Sequence, residues 1–111
     1  MNILSVLSWV ASEESGAYSV AKAAEWNIAN RLRLELAGQK TLVQGVRLGA
    51  ADTDIMAGCD VPKINPADVA RAGLDNVQSG AIEVLVDATT RYVKAALAAD
   101  PAQFYAQSTG N

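Results

Sequence analysis

The sequence contains no histidine and only one cysteine, Cys59, and aromatic residues make up 5% of its 111 residues. The absence of histidine excludes the Ser-His-Asp triad, the Cys-His pair and histidine-based metal sites. A single cysteine forms no internal disulfide, so we expect a small, half-buried thiol in a reducing cytoplasm, and no metal centre. Acid–base chemistry must therefore come from tyrosine, lysine, aspartate or glutamate.

A surplus of positive charge is also absent, because nine basic and twelve acidic residues give a net charge of −3. This balance excludes the basic surface by which proteins bind nucleic acid. Residues 1–11 are apolar, but no basic residue precedes them, Glu13 and Glu14 follow, and they are too few to span a bilayer. We interpret them as containing a buried strand, and we expect neither nucleic acid nor a membrane as a partner.

Hydrophobic patterning predicts strands at residues 3–10, 41–48 and 82–86, and helices at residues 16–37, 65–78 and 89–99. Asn65-Pro66 is typical of a helix start, and Gly80 of a helix end. The alternation β-α-β-α-β-α predicts an α/β fold with a parallel sheet in one domain.

The first predicted helix carries an apolar stripe at spacings of three and four residues, which predicts its core-facing side. The stripe consists of Ala21, Ala24, Ile28, Leu32 and Leu36.

Tyr18 and Lys22 lie four residues apart in the same helix, so their side chains project from one side, one turn apart. A phenol ionises far above neutral pH, and a nearby ammonium stabilises its phenolate. Such a tyrosine can give a proton to a carbonyl oxygen or take one from an alcohol. The alternative is an exposed pair without chemistry.

Two further segments end predicted strands, where open parallel sheets place their ligands. Ser5 precedes Tyr18 by thirteen residues and offers a hydroxyl to the same substrate oxygen. The alternative for Ser5 is a hydroxyl bonded to the backbone. Gly49 follows the second strand and permits close approach of a flat ligand, with Thr53 offering a hydroxyl; the alternative is a plain turn.

Together these segments resemble the short-chain dehydrogenase/reductase family. Asn2-Ile3-Leu4-Ser5 looks like the strand that ends in the family's catalytic serine, and Tyr18-x-x-x-Lys22 matches its Tyr-x-x-x-Lys motif. Residues 49–53 resemble its Pro-Gly-x-x-x-Thr segment, with Leu48 in place of the proline. Residues 65–70 resemble the helix start that follows the family's substrate loop.

The resemblance implies the C-terminal portion of a Rossmann-type, doubly wound parallel sheet. Tyr18 would be the general acid/base, Lys22 would stabilise its phenolate and hold the ribose of NAD or NADP, and Ser5 would orient a carbonyl/alcohol substrate. Gly49 and Thr53 would lie against the nicotinamide. Met56 and Val61 would line the substrate pocket or anchor their loop, and the complete enzyme would be a homo-oligomer.

The sequence lacks the family's glycine-rich phosphate loop, since Gly45 and Gly49 have neither its spacing nor its position. We therefore interpret residues 1–111 as a partial domain without the dinucleotide-binding half, and we expect the isolated chain to be inactive. Two alternatives stay open: a non-catalytic remnant or interaction module, and an enzyme whose cofactor half is encoded on another chain or upstream.

Overall fold

The computed structural model describes residues 1–49 and 63–108. The described residues form a parallel sheet in the order β1-β2-β3, from β1 (Asn2–Ser5), β2 (Gly45–Leu48) and β3 (Glu83–Leu85). Its helices are α1 (Ala17–Leu36), α2 (Pro66–Ser79), α3 (Ala88–Ala96) and α4 (Pro101–Ser108). Short 3₁₀ helices, Val6–Ser8 and Ala37–Gln39, follow β1 and α1. The predicted α/β class and parallel sheet are confirmed.

The two faces of the sheet differ in chemistry. Val46 of β2 pairs with Val84 of β3, and together with Leu48 and Val69 of α2 they form the buried apolar cluster. The next residue, Arg47, pairs with Leu4 of β1 and points to the opposite face, because side chains alternate along a strand. Helix α1 covers that second face.

The start of α2 follows the predicted chemistry. The Asn65 side chain accepts a hydrogen bond of 2.9 Å from the N–H of Ala67, and Pro66 occupies the first helical position, where its missing N–H costs nothing. Gly80 ends the helix in the left-handed conformation, with φ of 74°. The boundaries of this helix are therefore local properties of the sequence.

The first two strands are shorter than predicted. After Ser5 the chain turns into the 3₁₀ helix Val6–Ser8, because the Ser5 hydroxyl accepts the N–H of Leu7 and caps the turn. Ser5 is also the last residue paired with β2, opposite Leu48. The interpretation of this segment as a buried strand is wrong for Ile3, which is 50% exposed.

The predicted core-facing stripe of α1 was wrong, because Ala21, Ala24, Ile28 and Leu32 are exposed and Leu36 is half-buried. The helix instead turns Ala29 and Arg33 toward the sheet, beside the half-exposed Trp26. The second face of the sheet carries the buried Arg47, and Trp26 of α1, in place of the aliphatic stripe, lies against its guanidinium at 5.5 Å. The aliphatic stripe is left on the outer side of α1.

Helix α4 was not predicted. Asp100 and Pro101, which follow the predicted helix at residues 89–99, start another one: the Asp100 carboxylate accepts the N–H of Ala102 at 2.9 Å. The Tyr105 hydroxyl of α4 accepts a bond from the N–H of Ala11 at 3.2 Å, which connects the end of the chain to the segment after β1. Among the described residues, no helix is both long and apolar enough to cross a membrane.

Val46 offers a test of where the core lies, because its side chain is fully buried at the centre of the sheet. We expect Val46→Ala to lower the free energy of unfolding by about 2–3 kcal/mol, through lost burial and an unfilled cavity. Leu34→Ala is the control, since Leu34 is 80% exposed, and it should change stability by less than about 0.5 kcal/mol. Urea denaturation measures both, and equal losses would contradict this description of the core.

Candidate functional site

The carboxyl ends of the three parallel strands meet at one edge of the sheet. Ser5 ends β1, and Gly49 directly follows β2. The residue after β3, Val86, donates its N–H to the carbonyl of Arg47 at 3.0 Å, which extends the pairing to this edge. The edge is where an open α/β sheet binds its ligands.

The Ser5 hydroxyl lies at the point where β1 becomes the 3₁₀ helix, and it is buried. Its oxygen accepts the N–H of Leu7 at 3.0 Å, which is the backbone-bonded alternative named above. That bond uses the oxygen as an acceptor, so the O–H of Ser5 retains the ability to donate to a substrate oxygen. The structural role of Ser5 is therefore compatible with a chemical one.

Tyr18 and Lys22 come together as their spacing predicts. The Lys22 ammonium lies 5.6 Å from the centre of the Tyr18 ring, in the range of a cation–π contact. The phenol is half exposed, so a ligand can reach it, whereas the Lys22 side chain is mostly covered and pairs with Glu25 at 3.0 Å. The first turns of α1 thus present a reachable phenol next to a fixed cation.

Asp87 is a residue of this edge that the sequence analysis missed. Its carboxylate accepts the N–H of Gly49 at 2.8 Å and, on its other oxygen, the N–H of Thr90 at 2.9 Å. Its position before Ala-Thr-Thr, where α3 begins, was the available signal, because aspartate is a preferred helix cap. Asp87 therefore ties the residue after β2 to the start of α3.

The charge on Asp87 is favoured by these bonds. Burial raises the pKa of the carboxyl, but the Thr90 side chain, the N–H groups of Gly49 and Thr90, and the nearby Arg91 together outweigh burial and lower the pKa below its usual value. Gly49 fits closely here, since a Cβ on it would lie 3.3 Å from an Asp87 oxygen. The ionised Asp87 carboxylate therefore anchors Gly49 to the start of α3 through backbone N–H donors.

The remaining predicted residues, Thr53, Met56, Cys59 and Val61, lie outside the described residues. The structure therefore brings Tyr18 to Lys22 on one helix, and places Ser5 and Gly49 at the ends of adjacent paired strands.

A buried cation lies beneath this edge. The Arg47 guanidinium pairs with Glu83 at 3.2 Å, and its carbon lies 4.3 Å from the centre of the Trp9 ring and 5.5 Å from that of Trp26. Burial lowers the pKa of Arg47, Glu83 opposes that shift, and Arg33 adds to it. Trp9, four residues after Ser5, packs on this cation.

Comparison with solved structures gives a match over 96% of this chain and 46% of the other, with a TM-score of 0.88 and 32% sequence identity. The matching structure is a short-chain dehydrogenase from Burkholderia cenocepacia in complex with NADP. The chain thus spans about half the length of that enzyme, and the resemblance stated from the motifs is confirmed. No protein-family model and no curated protein matches the chain.

Asp87→Asn tests the anchoring of this edge. Because the folded pKa is lowered, the carboxylate stabilises the fold above its unfolded pKa, near 3.9, and that stabilisation is lost as the pH falls through the folded pKa. We expect the variant to be less stable by about 1–2 kcal/mol at pH 7, with the difference shrinking below about pH 4. Asp75→Asn, on the exposed side of α2, removes the same charge and should have little effect. An Asp87→Asn difference that is unchanged under acid would contradict the assignment; urea denaturation across the pH range measures it.

Proposed function

Because the chain is built like the corresponding part of a short-chain dehydrogenase, we propose that it is the catalytic portion of an oxidoreductase that uses NADP or NAD to interconvert a small-molecule carbonyl and an alcohol. The observation that carries this proposal is the pairing of a reachable Tyr18 phenol with the Lys22 ammonium, in a chain 32% identical to an enzyme of that family. The complete reaction belongs to a longer protein, since this chain corresponds to 46% of that relative.

Tyr18 is the proposed general acid and base. In the reducing direction its O–H gives a proton to the substrate oxygen, and in the oxidising direction its phenolate takes one from the alcohol. The ammonium of Lys22, 5.6 Å from the ring centre, stabilises the phenolate electrostatically. Ser5 is the proposed donor to the substrate oxygen, since the Leu7 N–H already holds its hydroxyl in one orientation.

The residues present fit the nicotinamide end of the cofactor. Lys22 offers a cation for ribose hydroxyls, and Gly49, held by its N–H to Asp87, places a residue without a side chain directly after β2. Thr53 is the proposed partner of the nicotinamide carboxamide, and Met56 and Val61 are proposed to line the substrate pocket. The bound cofactor supplies the hydride; the chain supplies position and electrostatics.

The 111-residue chain is proposed to be inactive on its own, because its sequence holds no glycine-rich loop for the pyrophosphate. A cytoplasmic location is proposed from the single cysteine, which is typical of proteins in a reducing compartment.

A homo-oligomer of the complete enzyme is proposed from the outer side of α1. Val20, Ile28 and Leu32 recur there at helical spacing and are 71%, 57% and 37% exposed. A continuous apolar stripe on a helix is typical of a surface that another protein covers, and a second copy of the same helix offers the matching stripe.

Two substitutions test the catalytic assignment in the full chain, by which we mean the longer enzyme that carries this portion together with the cofactor-binding half. Tyr18→Phe removes only the hydroxyl, so we expect kcat to fall by about 10²-fold or more while the dissociation constant for NADP(H) changes little. Lys22→Ala should lower kcat and weaken NADP(H) binding, because it removes the ammonium beside the Tyr18 phenol and a proposed contact with the cofactor. Tyr92→Phe, on the exposed side of α3, is the control and should retain activity. Steady-state kinetics and cofactor titration measure these effects.

Retained activity in Tyr18→Phe would contradict the assignment. A full chain with intact Tyr18 and Lys22 that binds no NADP(H) and reduces no aldehyde or ketone would instead favour a non-catalytic module.

Ile28→Asp tests the oligomer. A carboxylate in the middle of the stripe cannot be buried without cost, so we expect the full chain to shift from dimer or higher oligomer to monomer. Arg31→Asp, one turn along and 79% exposed at its side chain, is the matched control. Light scattering after size-exclusion chromatography measures the mass, and an unchanged mass for Ile28→Asp would overturn this interface.

A further inference from the structure

Arg47 is an unusual residue for its position. It lies on the central strand between Leu4 and Leu85, where aliphatic side chains fill most parallel sheets, and its side chain is 3% exposed. Burying a charge is costly unless it is paired and hydrogen-bonded, and an aliphatic side chain of similar volume avoids that cost. The contacts of its guanidinium show what the charge does instead.

One edge of the guanidinium reaches the segment that follows Ser5. Arg47 Nε donates to the Ser8 hydroxyl at 3.2 Å, and the Ser8 hydroxyl donates to the backbone carbonyl of Ser5 at 2.7 Å. Both bonds are buried. Since the Ser5 hydroxyl accepts the N–H of Leu7 within the same turn, the direction of that hydroxyl depends on how this turn is held. Arg47 therefore connects β2 to Ser5 through one side chain.

The faces of the guanidinium reach helix α1. Trp9, the residue after the 3₁₀ helix, stacks near the cation, and Trp26 of α1 lies edge-on to Trp9 with ring centres 6.3 Å apart. Trp26 belongs to the same helix as Tyr18 and Lys22, two turns after Tyr18. The cation thus holds the Ser5 turn and the helix of the proposed acid–base pair in one packed unit.

The opposite edge of the guanidinium is anchored to β3. Arg47 Nη1 bonds to one oxygen of Glu83, and Lys94 of α3 bonds to the other. Glu83 is the first residue of β3, an outer strand of the described sheet, so the anchor is part of the sheet and not of a loop. Glu83 neutralises the charge from within the sheet, so the guanidinium of Arg47 is held in place and in turn holds the turn that contains Ser8.

We propose that Arg47 is a positioning residue, which acts through Ser8 to set the direction of the Ser5 hydroxyl relative to Tyr18. This inference rests on the proposed function, because it gives Ser5 a substrate to orient. We call the hydrogen bonds from Arg47 through Ser8 to Ser5 the relay. Substitutions that break the relay should weaken binding and turnover of the carbonyl substrate and leave the proposed cofactor contacts of Lys22 and Gly49 intact.

The experiment compares Ser8→Ala, Arg47→Met and Arg47→Lys in the full chain, with NADPH or NADH and a panel of aldehydes and ketones. Ser8→Ala removes one hydroxyl, so we expect kcat to fall about tenfold and KM for the carbonyl to rise, with KM for NADPH unchanged. Arg47→Met should lower kcat/KM for the carbonyl by about 10²-fold. Arg47→Lys keeps the positive charge but lacks the planar set of guanidinium donors, so its kcat/KM for the carbonyl should lie between those of Arg47→Met and the wild type.

Arg31→Met is the matched control, because it removes an arginine from the outer side of α1, and it should leave all constants unchanged. Far-ultraviolet circular dichroism reports the folded fraction of each variant, because it does not depend on the contacts of Trp9 and Trp26 with Arg47. If Arg47→Met does not fold, Ser8→Ala carries the test, since it leaves the ion pair with Glu83 in place.

The outcomes distinguish failure of the positioning role of Arg47 from failure of the proposed function. A wild type with activity, and a relay variant whose KM for the carbonyl rises, support the assignment. A fall in kcat that matches the lost folded fraction, with both KM values unchanged, overturns it in favour of a structural role, as does full activity in Ser8→Ala. A wild-type full chain that shows no turnover with either NADPH or NADH overturns the proposed function, and the assignment of Arg47 with it.

Discussion

The guanidinium of Arg47 has to be neutralised and hydrogen-bonded inside the layer between the sheet and α1, and much of the structure follows from that requirement. Glu83 supplies the countercharge, Ser8 accepts a hydrogen bond, and Trp9 and Trp26 provide aromatic faces. These partners come from three segments of the chain, with Ser8 and Trp9 adjacent in one of them. The cation therefore selects how β3, the turn after β1 and α1 approach β2.

Parallel pairing imposes the second constraint. Because all three strands run in one direction, the residues after them share an edge, and residues as distant in sequence as Ser5, Gly49 and Asp87 become neighbours of the same surface. The proposed chemistry needs a hydroxyl, a phenol, an ammonium and a residue without a side chain next to one ligand. A parallel sheet and one long helix supply these groups from elements that are otherwise held by their own packing.

Local signals predicted much of this arrangement. Asn65, Pro66 and Gly80 place α2 correctly, because caps and proline act on neighbouring backbone groups. Tyr18 and Lys22 meet because helical geometry alone brings residues four apart together. The apolar stripe of α1 gave a wrong prediction of the buried side, because periodicity shows that a helix has an apolar side but does not show what covers it. Asp87 was missed because its partner Gly49 lies 38 residues away in the sequence.

The sequence by itself determined the α/β class, the start and end of α2 and the motifs of the proposed site, because propensity, capping and spacing act within a few residues. Only the tertiary structure decided which face of α1 is buried, where β1 ends, and that Arg47 lies between two tryptophans and a glutamate. Those features depend on contacts between segments far apart in the chain. A buried charge can be recognised only when all the groups that surround it are in place.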